Sequence, residues 1–127
     1  MIVKYKEDMV GGPNHRQVAT GSSLRFLTRT DGVGFTLTDT NLHPGSEAVL
    51  HYKNHIEANY IIEGEGELED LATGKIYAVR PGMMYTLDKH DRHRLKAKTA
   101  LRIICVFTPA LVGTEIHDKD GSYPILK

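Results

Sequence analysis

The most constraining feature of the sequence is a set of glycine, histidine and glutamate residues at regular spacing in its middle third. His51 follows Gly45 by six residues, and Glu57 follows His51 by another six. Gly64 closes the set seven residues after Glu57. Imidazole and carboxylate side chains are both common ligands of first-row divalent metals. The spacing therefore indicates a candidate metal site in a fold built from short segments.

A second set follows downstream, where the turn Pro81-Gly82 precedes Tyr85, and His93 comes eight residues after the tyrosine. The two sets resemble the two motifs of the cupin superfamily, G-x5-H-x-H-x3-E-x6-G and P-x-G-x2-H. Lys53 stands where the second histidine of the first motif belongs. Tyr85 stands at the histidine position of the second motif, which is shortened by one residue. The resemblance implies a small β-barrel with a ligand set at its mouth.

Short apolar or alternating segments, separated by turn residues, fill most of the chain. Many short strands at close spacing, with almost no helical periodicity, indicate a sandwich or a closed barrel. We predict an all-β, single-domain cupin β-barrel of the jelly-roll type with few or no helices. The predicted strands cover residues 2–5, 24–29, 35–40, 51–52, 57–63, 65–71, 75–79, 83–87, 94–98 and 101–107.

The predicted metal ligands are Glu57, Tyr85 and His93. Taken singly, they are better explained as a solvated strand-end charge, a core tyrosine and a loop histidine. Their joint spacing reverses that preference, because the two motifs bring them to neighbouring inward faces of one barrel mouth. An oxygen-rich set of this kind suits iron or another first-row divalent ion. His51 is a further candidate, as a fourth ligand or as a hydrogen-bonding partner of a ligand.

Composition bounds the remaining possibilities. With 127 residues, the chain is predicted to form one domain over residues 1–127, with residues 111–127 as a possible lid over the barrel mouth. Sixteen basic and sixteen acidic residues balance, so no overall charge favours nucleic acid or a membrane surface. The single cysteine, Cys105, fits a reducing compartment. We therefore predict a soluble, cytoplasmic protein.

Several segments resemble ectoine synthase over nearly the whole chain. Two are distinctive of that family, Leu-Asp-Lys-His-Asp at 87–91 and His-Asp-Lys-Asp-Gly-Ser-Tyr-Pro at 117–124. The resemblance implies a cytoplasmic homodimer that acts as a hydro-lyase, a carbon–oxygen lyase. The expected reaction closes N4-acetyl-L-2,4-diaminobutyrate into ectoine, a compatible solute of osmotic stress, with loss of water.

The resemblance also assigns roles to individual residues. It implies an Fe²⁺ centre held by Glu57, Tyr85 and His93, with the metal acting as a Lewis acid. Catalytic roles fall on Tyr52, Glu115 and His117. Substrate-binding roles fall on Arg25, Thr38, Thr40, Cys105 and Phe107.

Two positions depart from the family pattern and keep other functions open. Gly21 stands where a tryptophan is usual, four residues before Arg25, and Thr38 stands where asparagine or histidine is common. The loss of a large aromatic predicts weaker substrate binding. The alternatives are a metal-dependent cupin enzyme acting on a different small substrate, such as a dioxygenase, and a non-catalytic cupin that binds a solute.

Overall fold

The computed structural model describes residues 1–126, in which nearly all regular structure is β-strand. The helical segments in this part of the chain are one short helix, α1 Lys6–Met9, and a 3-10 turn at Arg29–Asp31. The all-β prediction with few helices is therefore confirmed. The strands are β1 His15–Val18, β2 Gly21–Arg25, β3 Thr36–Leu42, β4 Glu47–Leu50, β5 Ile56–Glu63, β6 Gly66–Asp70, β7 Ile76–Val79, β8 Met84–Leu87, β9 His93–Ala97 and β10 Leu101–Thr108.

The strands form two antiparallel sheets rather than one continuous closed barrel. A six-stranded sheet has the order β1-β2-β3-β10-β5-β8, and a four-stranded sheet has the order β4-β9-β6-β7. Strands β3 to β6 and β7 to β10 alternate between the two sheets, and β6 and β7 form a hairpin within the four-stranded sheet, an arrangement typical of a jelly roll. The inner faces of the two sheets enclose the core, and the candidate site residues lie between them.

Strand β10 shows why the six-stranded sheet buries one face. Its inward residues, Leu101, Ile103, Cys105 and Phe107, are all at most 3% exposed, whereas the residues between them are half-buried. This is the two-residue alternation of a strand with one core face. Fully burying an apolar side chain of this size is worth about 1.5–3 kcal/mol. Strand β10 lies between β3 and β5 and is therefore the centre of the sheet.

Gly64 of the first motif has a structural role at the end of β5. Its backbone φ is +93°, a conformation that side-chain-bearing residues rarely adopt. A Cβ at this position would stand 2.0 Å from the backbone oxygen of Ala100. The motif glycine therefore allows β5 to turn into β6 while passing close to the chain that enters β10.

Four strand assignments differ from the structure. The strand predicted at 24–29 lies at Gly21–Arg25, where it pairs with β1 and β3. Residues 2–5 pair with no strand; Lys4 forms an ion pair with Asp31 of the 3-10 turn, and the following Lys6 forms one with Asp39 of β3. Strand β1 was not predicted, since its sequence has no apolar alternation, and it forms by hairpin pairing with β2. The strand predicted at 51–52 lies instead at Glu47–Leu50, where it pairs with β9.

Asp39 ties this N-terminal segment to the sheet. Its side chain is 2% exposed and accepts hydrogen bonds from Arg102 Nε at 3.0 Å and Nη2 at 2.8 Å. Lys6 Nζ donates a third, at 3.0 Å. Burial raises the pKa of Asp39, but the hydrogen bonds from Arg102 and Lys6 outweigh it, and the pKa stays below its ordinary value. Asp39 is therefore ionised in the folded protein at neutral pH.

We expect Asp39→Asn to lower the free energy of unfolding by about 1.5–3 kcal/mol at neutral pH, since hydrogen bonds to charged groups contribute that much. A lowered carboxyl pKa stabilises the fold above the unfolded-state value, about 3.9, and this contribution is lost as pH falls through the folded-state value. Urea denaturation of the wild type and of Asp39→Asn, at neutral pH and in acid, measures the difference between their free energies of unfolding. A difference that stays constant into acid would contradict the ionised state assigned to Asp39.

Among residues 1–126, no helix has the length and apolar character needed to span a bilayer.

Candidate active site

Five inward side chains form a row across the six-stranded sheet. Strand register pairs Arg25 with Thr38, Thr38 with Cys105, Cys105 with Asn59 and Asn59 with Tyr85. Adjacent strands lie about 4.8 Å apart. The row therefore runs from a cation on β2 to a predicted metal ligand on β8. The neighbouring inward rows bring in Thr40 on one side, and Phe107 paired with Glu57 on the other.

An interior cavity of about 50 Å³ lies between the two sheets, over the Cys105, Asn59 and Tyr85 end of this row. This volume exceeds the roughly 10–15 Å³ that a single water molecule needs, so the cavity has room for water. Seven of the predicted site residues line it: Thr40, Tyr52, Glu57, Tyr85, Cys105, Phe107 and His117. Tyr85 also lines a wider surface cleft together with His93. The remaining predicted residues, Arg25, Thr38 and Glu115, lie behind the cavity wall.

His93 presents a free nitrogen at the first strand position of β9. The side chain is 1% exposed, and its Nδ1 lies 3.0 Å from the backbone oxygen of Asp91. Since a carbonyl oxygen only accepts, Nδ1 donates, and the neutral ring keeps its lone pair on Nε2. Burial lowers the pKa of His93 and so favours the neutral ring. Nε2 is buried without a hydrogen-bond partner, which is the arrangement expected of a metal-ligating histidine.

Glu57 and Tyr85 complete the candidate metal set. Glu57 is 5% exposed, and burial raises its pKa to about 8. Burial also raises the pKa of Tyr85 well above its ordinary value. The ring of Tyr85 lies 6.4 Å from that of His93, measured between centroids. A cation among these groups would favour their ionised forms and offset the penalty of burial, so the residues present fit a divalent metal.

Tyrosine is essential to this candidate set. Within the described residues, no three His, Cys, Asp or Glu side chains come together as a metal cluster. The three predicted ligands include two residues of these types, and the Tyr85 phenol supplies the third. His51, the further candidate, lines a shallow surface pocket with Arg92 and Lys119 instead of the interior cavity.

Tyr52 and His117 form a hydrogen-bonded pair inside the cavity. The Tyr52 hydroxyl lies 2.8 Å from His117 Nε2. Burial, reinforced by the charge of Arg25, lowers the pKa of His117 to about 4, so its imidazole is neutral at neutral pH. Burial raises the pKa of Tyr52 well above its ordinary value. His117 stacks on Tyr123 at 4.5 Å between ring centroids, which fixes the plane of the imidazole.

Arg25 is a fully buried cation with neutral partners. Its guanidinium donates to Ser23 Oγ at 2.9 Å, to the Gly113 carbonyl at 3.1 Å and to the Tyr123 hydroxyl at 3.2 Å. Among the partners in residues 1–126, no carboxylate lies in ion-pair contact with it. Burying an unpaired charge is unfavourable, so this position is suited to receive an anionic group.

The wall between Arg25 and the metal end carries hydroxyl and thiol groups. Thr38 Oγ1 lies 2.9 Å from Thr40 Oγ1, and Cys105 Sγ lies 3.7 Å from Thr40 Oγ1. Burial raises the pKa of the Cys105 thiol far above its ordinary value, so it stays protonated. Cys105 is therefore a protonated, polar wall residue of the cavity and is not activated as a nucleophile.

Glu115 faces away from the interior cavity. Its carboxylate accepts hydrogen bonds from the backbone amides of Val112 at 2.7 Å and Gly113 at 2.8 Å. The residue lines a different surface pocket, beside His55. In this arrangement Glu115 holds the turn whose Gly113 carbonyl binds Arg25, and its predicted role as a proton carrier stays a prediction.

Asn59 and Tyr123 are two residues of the cavity wall that were not predicted to lie at the site. Asn59 lies two residues after Glu57 on β5, so strand alternation could have found it. Tyr123 contacts the rings of Tyr52, Phe107 and His117. His117 and Tyr123 belong to the C-terminal tail and lie 65 and 71 residues after Tyr52 in the chain. The predicted lid, residues 111–127, includes this tyrosine, but no local pattern assigns it a role at the site.

Comparison with known proteins decides which cupins this chain resembles. The family model described as ectoine synthase matches residues 1–127. The chain belongs to the ectoine synthase family. L-ectoine synthase of Oceanobacillus iheyensis is 53% identical over 126 residues, covering 99% of this chain and 98% of the relative. That of Desulfatibacillum aliphaticivorans is 48% identical over 128 residues, covering 99% and 98%.

Solved structures agree with the family assignment. The crystal structure of ectoine synthase from P. lautus has a TM-score of 0.89 and 48% identity, covering 99% of this chain and 91% of that one. An RmlC-like cupin from Shewanella frigidimarina, 19% identical with a TM-score of 0.67 over 87% and 92% of the two chains, shares the fold alone. The predicted cupin fold and ectoine synthase resemblance are confirmed.

Gly21 limits how the departure from the family pattern can be tested. A Cβ on Gly21 would stand 1.9 Å from the backbone oxygen of Asn41 and 2.9 Å from the Cα of Leu42. A tryptophan cannot be added here without moving β2 away from β3. Val18, which pairs with Gly21 and lines the cavity, occupies this part of the wall.

We therefore expect Gly21→Ala to destabilise the protein by about 1–3 kcal/mol, the usual cost of overpacking a well-packed site. Thermal unfolding of Gly21→Ala and of Ala19→Gly, in the adjacent turn, measures this loss against a matched backbone change. An unchanged Tm in Gly21→Ala would show that the two strands separate freely, and tryptophan could then be tested at this position.

Proposed function

We propose that this member of the ectoine synthase family is a hydro-lyase that closes N4-acetyl-L-2,4-diaminobutyrate into L-ectoine. The observation that carries the proposal is the inward row that joins a buried cation without an anionic partner, Arg25, to the candidate metal ligand Tyr85. The substrate has matching ends, a carboxylate at one and an acetamide at the other.

The reaction balances without a redox partner. The α-amino nitrogen attacks the acetamide carbonyl carbon and forms the new C–N bond of the ring. The carbonyl oxygen then leaves as water, taking up protons that the amine gives away, and the amidine C=N bond forms. The protein must bind the chain folded back on itself, keep the amine neutral and protonate the departing oxygen.

Arg25 is the proposed carboxylate anchor. A guanidinium binds carboxylates through two parallel hydrogen bonds, and in a buried site such a bond is strong. At present its donors bind Ser23, Gly113 and Tyr123, which are all neutral partners. The substrate carboxylate would neutralise the buried charge of Arg25. Binding would therefore remove an unfavourable feature of the free protein.

Tyr52 and His117 are the proposed proton carriers. Because its pKa is lowered to about 4, His117 is neutral at working pH and can take a proton from the amine. Tyr52, hydrogen-bonded to it at 2.8 Å, can pass a proton toward the departing oxygen. Both residues line the cavity, and the stacked Tyr123 keeps their alignment.

Iron(II) is the proposed metal, held by Glu57, Tyr85 and His93. The buried, unpartnered Nε2 of His93 supports this set. Two oxygen ligands and one nitrogen suit a first-row divalent ion. A bound ion of this kind supplies Lewis-acid polarisation of a carbonyl oxygen. Glu57 and Tyr85 line the cavity, and so would present that chemistry to the acetamide end of the substrate.

The tail from Leu111 onward is the proposed lid, although Lys127 lies outside the described residues. Leu111, Glu115, Ser122 and Tyr123 are at most 3% exposed, and His117 and Tyr123 line the cavity. Because the tail supplies part of the cavity wall, we propose that it opens to admit the substrate and then closes over it. Hydrogen exchange of the tail amides, with and without substrate, tests this. Equal protection in both states would argue against a lid.

A homodimer is proposed from the contrast between the two outer faces. The four-stranded sheet carries ion pairs there, from Arg94 to Glu47 and Glu69, and its exposed apolar side chains, Ile76 and Tyr77, lie on the edge strand β7. The six-stranded sheet exposes apolar side chains on adjacent strands, which favours a protein partner: Ile56, Tyr60 and Met84 are 38%, 49% and 63% exposed. Sedimentation equilibrium of the wild type and of Tyr60→Arg tests the proposed homodimer. A monomeric wild type would overturn the proposal.

We further propose that the enzyme acts in the cytoplasm, where its product accumulates as a compatible solute during osmotic stress. The single cysteine of the chain is buried and free of any disulfide, which suits a reducing compartment. Fractionation of salt-stressed and unstressed source cells, followed by detection of the protein, tests both statements. Recovery of the protein outside the cytoplasmic fraction would contradict the first.

The decisive experiment is an assay of the protein reconstituted with iron(II) under exclusion of air. We expect N4-acetyl-L-2,4-diaminobutyrate to be converted into ectoine, detected by NMR, with no added oxidant. Oxygen consumption coupled to turnover would indicate a dioxygenase. Tight binding of the substrate without product would indicate a solute-binding protein.

A further inference from the structure

Asn59 is a buried polar residue next to the candidate metal ligands. It lies on the inner face of β5, two residues after Glu57, and is 2% exposed. Strand register sets it between Cys105 of β10 and Tyr85 of β8. It also lines the interior cavity. The residue therefore touches the same space as the proposed substrate and the proposed metal.

The Asn59 side chain makes one specific contact, to Glu57. Its Nδ2 donates a hydrogen bond to Glu57 Oε1 at 3.0 Å. Within residues 1–126, Asn59 is the only side chain that hydrogen-bonds this carboxylate. The strand fixes the Glu57 backbone, but several rotatable bonds separate the backbone from the carboxylate oxygens. The orientation of these oxygens therefore depends on the amide of Asn59.

We propose that Asn59 is a positioning residue that holds the Glu57 carboxylate in the orientation in which it binds the metal. One oxygen accepts the amide N–H, which leaves the other oxygen to face the cation. Residues that hydrogen-bond a metal ligand usually contribute about 10–100-fold to metal affinity. This inference rests on the proposed metal site.

Two substitutions separate the hydrogen bond from the volume of the side chain. Asn59→Leu keeps the branched shape of the side chain and removes the donor, whereas Asn59→Ala removes both. Ile61→Val, at the next inward position of β5, is the matched control because it changes packing without touching Glu57. The measurement is the iron(II) dissociation constant in competition with a chromogenic chelator, with the Tm of the metal-free protein as a check on folding.

We expect Asn59→Leu and Asn59→Ala both to weaken iron(II) binding by about 10–100-fold, and Ile61→Val to leave it unchanged. Wild-type affinity in Asn59→Leu would overturn the inference, whether or not Asn59→Ala binds more weakly. Glu57→Ala separates this failure from a failure of the metal site. If Glu57→Ala also binds iron(II) as tightly as the wild type, the proposed site is wrong and the inference fails with it.

Discussion

Replacing His93 by alanine is expected to remove the bound iron and to lower turnover by at least about 100-fold. Loss of a residue that merely supports a ligand costs about 10–100-fold, and loss of the ligand itself should cost no less. In the described residues, His93 Nε2 is buried and has no hydrogen-bond partner, so it is available to bind the metal. His93→Ala removes this nitrogen. Glu57→Ala and Tyr85→Phe should have effects of similar size.

The measurement is iron content after dialysis, followed by turnover with added iron(II). His51→Ala is the matched control, since His51 belongs to the first motif but lines a surface pocket. This control should retain both iron and activity. If all three ligand variants retained their full iron content, the iron would have to bind at another site.

The second large effect is expected at the Tyr52–His117 pair. General acid–base groups contribute about 10²–10⁴-fold to turnover, and we expect Tyr52→Phe and His117→Ala each to lower kcat within that range. Tyr52→Phe keeps the ring that packs against Phe107 at 5.3 Å and Tyr123 at 5.2 Å, so the loss should fall on kcat more than on KM. Iron content should stay at the wild-type level.

The pH profile gives a second readout of this pair. Because the pKa of His117 is lowered to about 4, protonation of this residue should not limit activity until the pH approaches that value. Tyr60→Phe, on the outer face of β5, is the control and should leave kcat unchanged. Wild-type kcat in both Tyr52→Phe and His117→Ala would exclude the pair from proton transfer.

Local patterns in the sequence predicted most strands of the core, whereas the metal-ligand set stays a prediction. Motif spacing sets Glu57 and Tyr85 on strands that the fold makes neighbours, and residue alternation turns both inward. The predicted strand at 51–52 was wrong because pairing with β9 selects Glu47–Leu50, and a pairing partner is not visible in a short segment.

Long-range contacts account for what the sequence could not predict. Arg25 binds Gly113 and Tyr123, which lie 88 and 98 residues away along the chain. The contacts of Glu115 with the backbone at Val112 and Gly113 are local, but a polar tail gives no sign that this turn is buried. The close approach of Gly21 to Asn41 likewise depends on β2–β3 pairing.

The most direct test of the proposed reaction follows the oxygen atom that leaves. N4-acetyl-L-2,4-diaminobutyrate carrying a heavy oxygen isotope in its acetyl carbonyl is incubated with the iron(II)-loaded protein, and with Glu57→Ala as the control. We predict that the wild type forms unlabelled ectoine and releases the label as water, and that the variant forms little product. Recovery of intact labelled substrate from wild type that binds iron stoichiometrically would contradict the account.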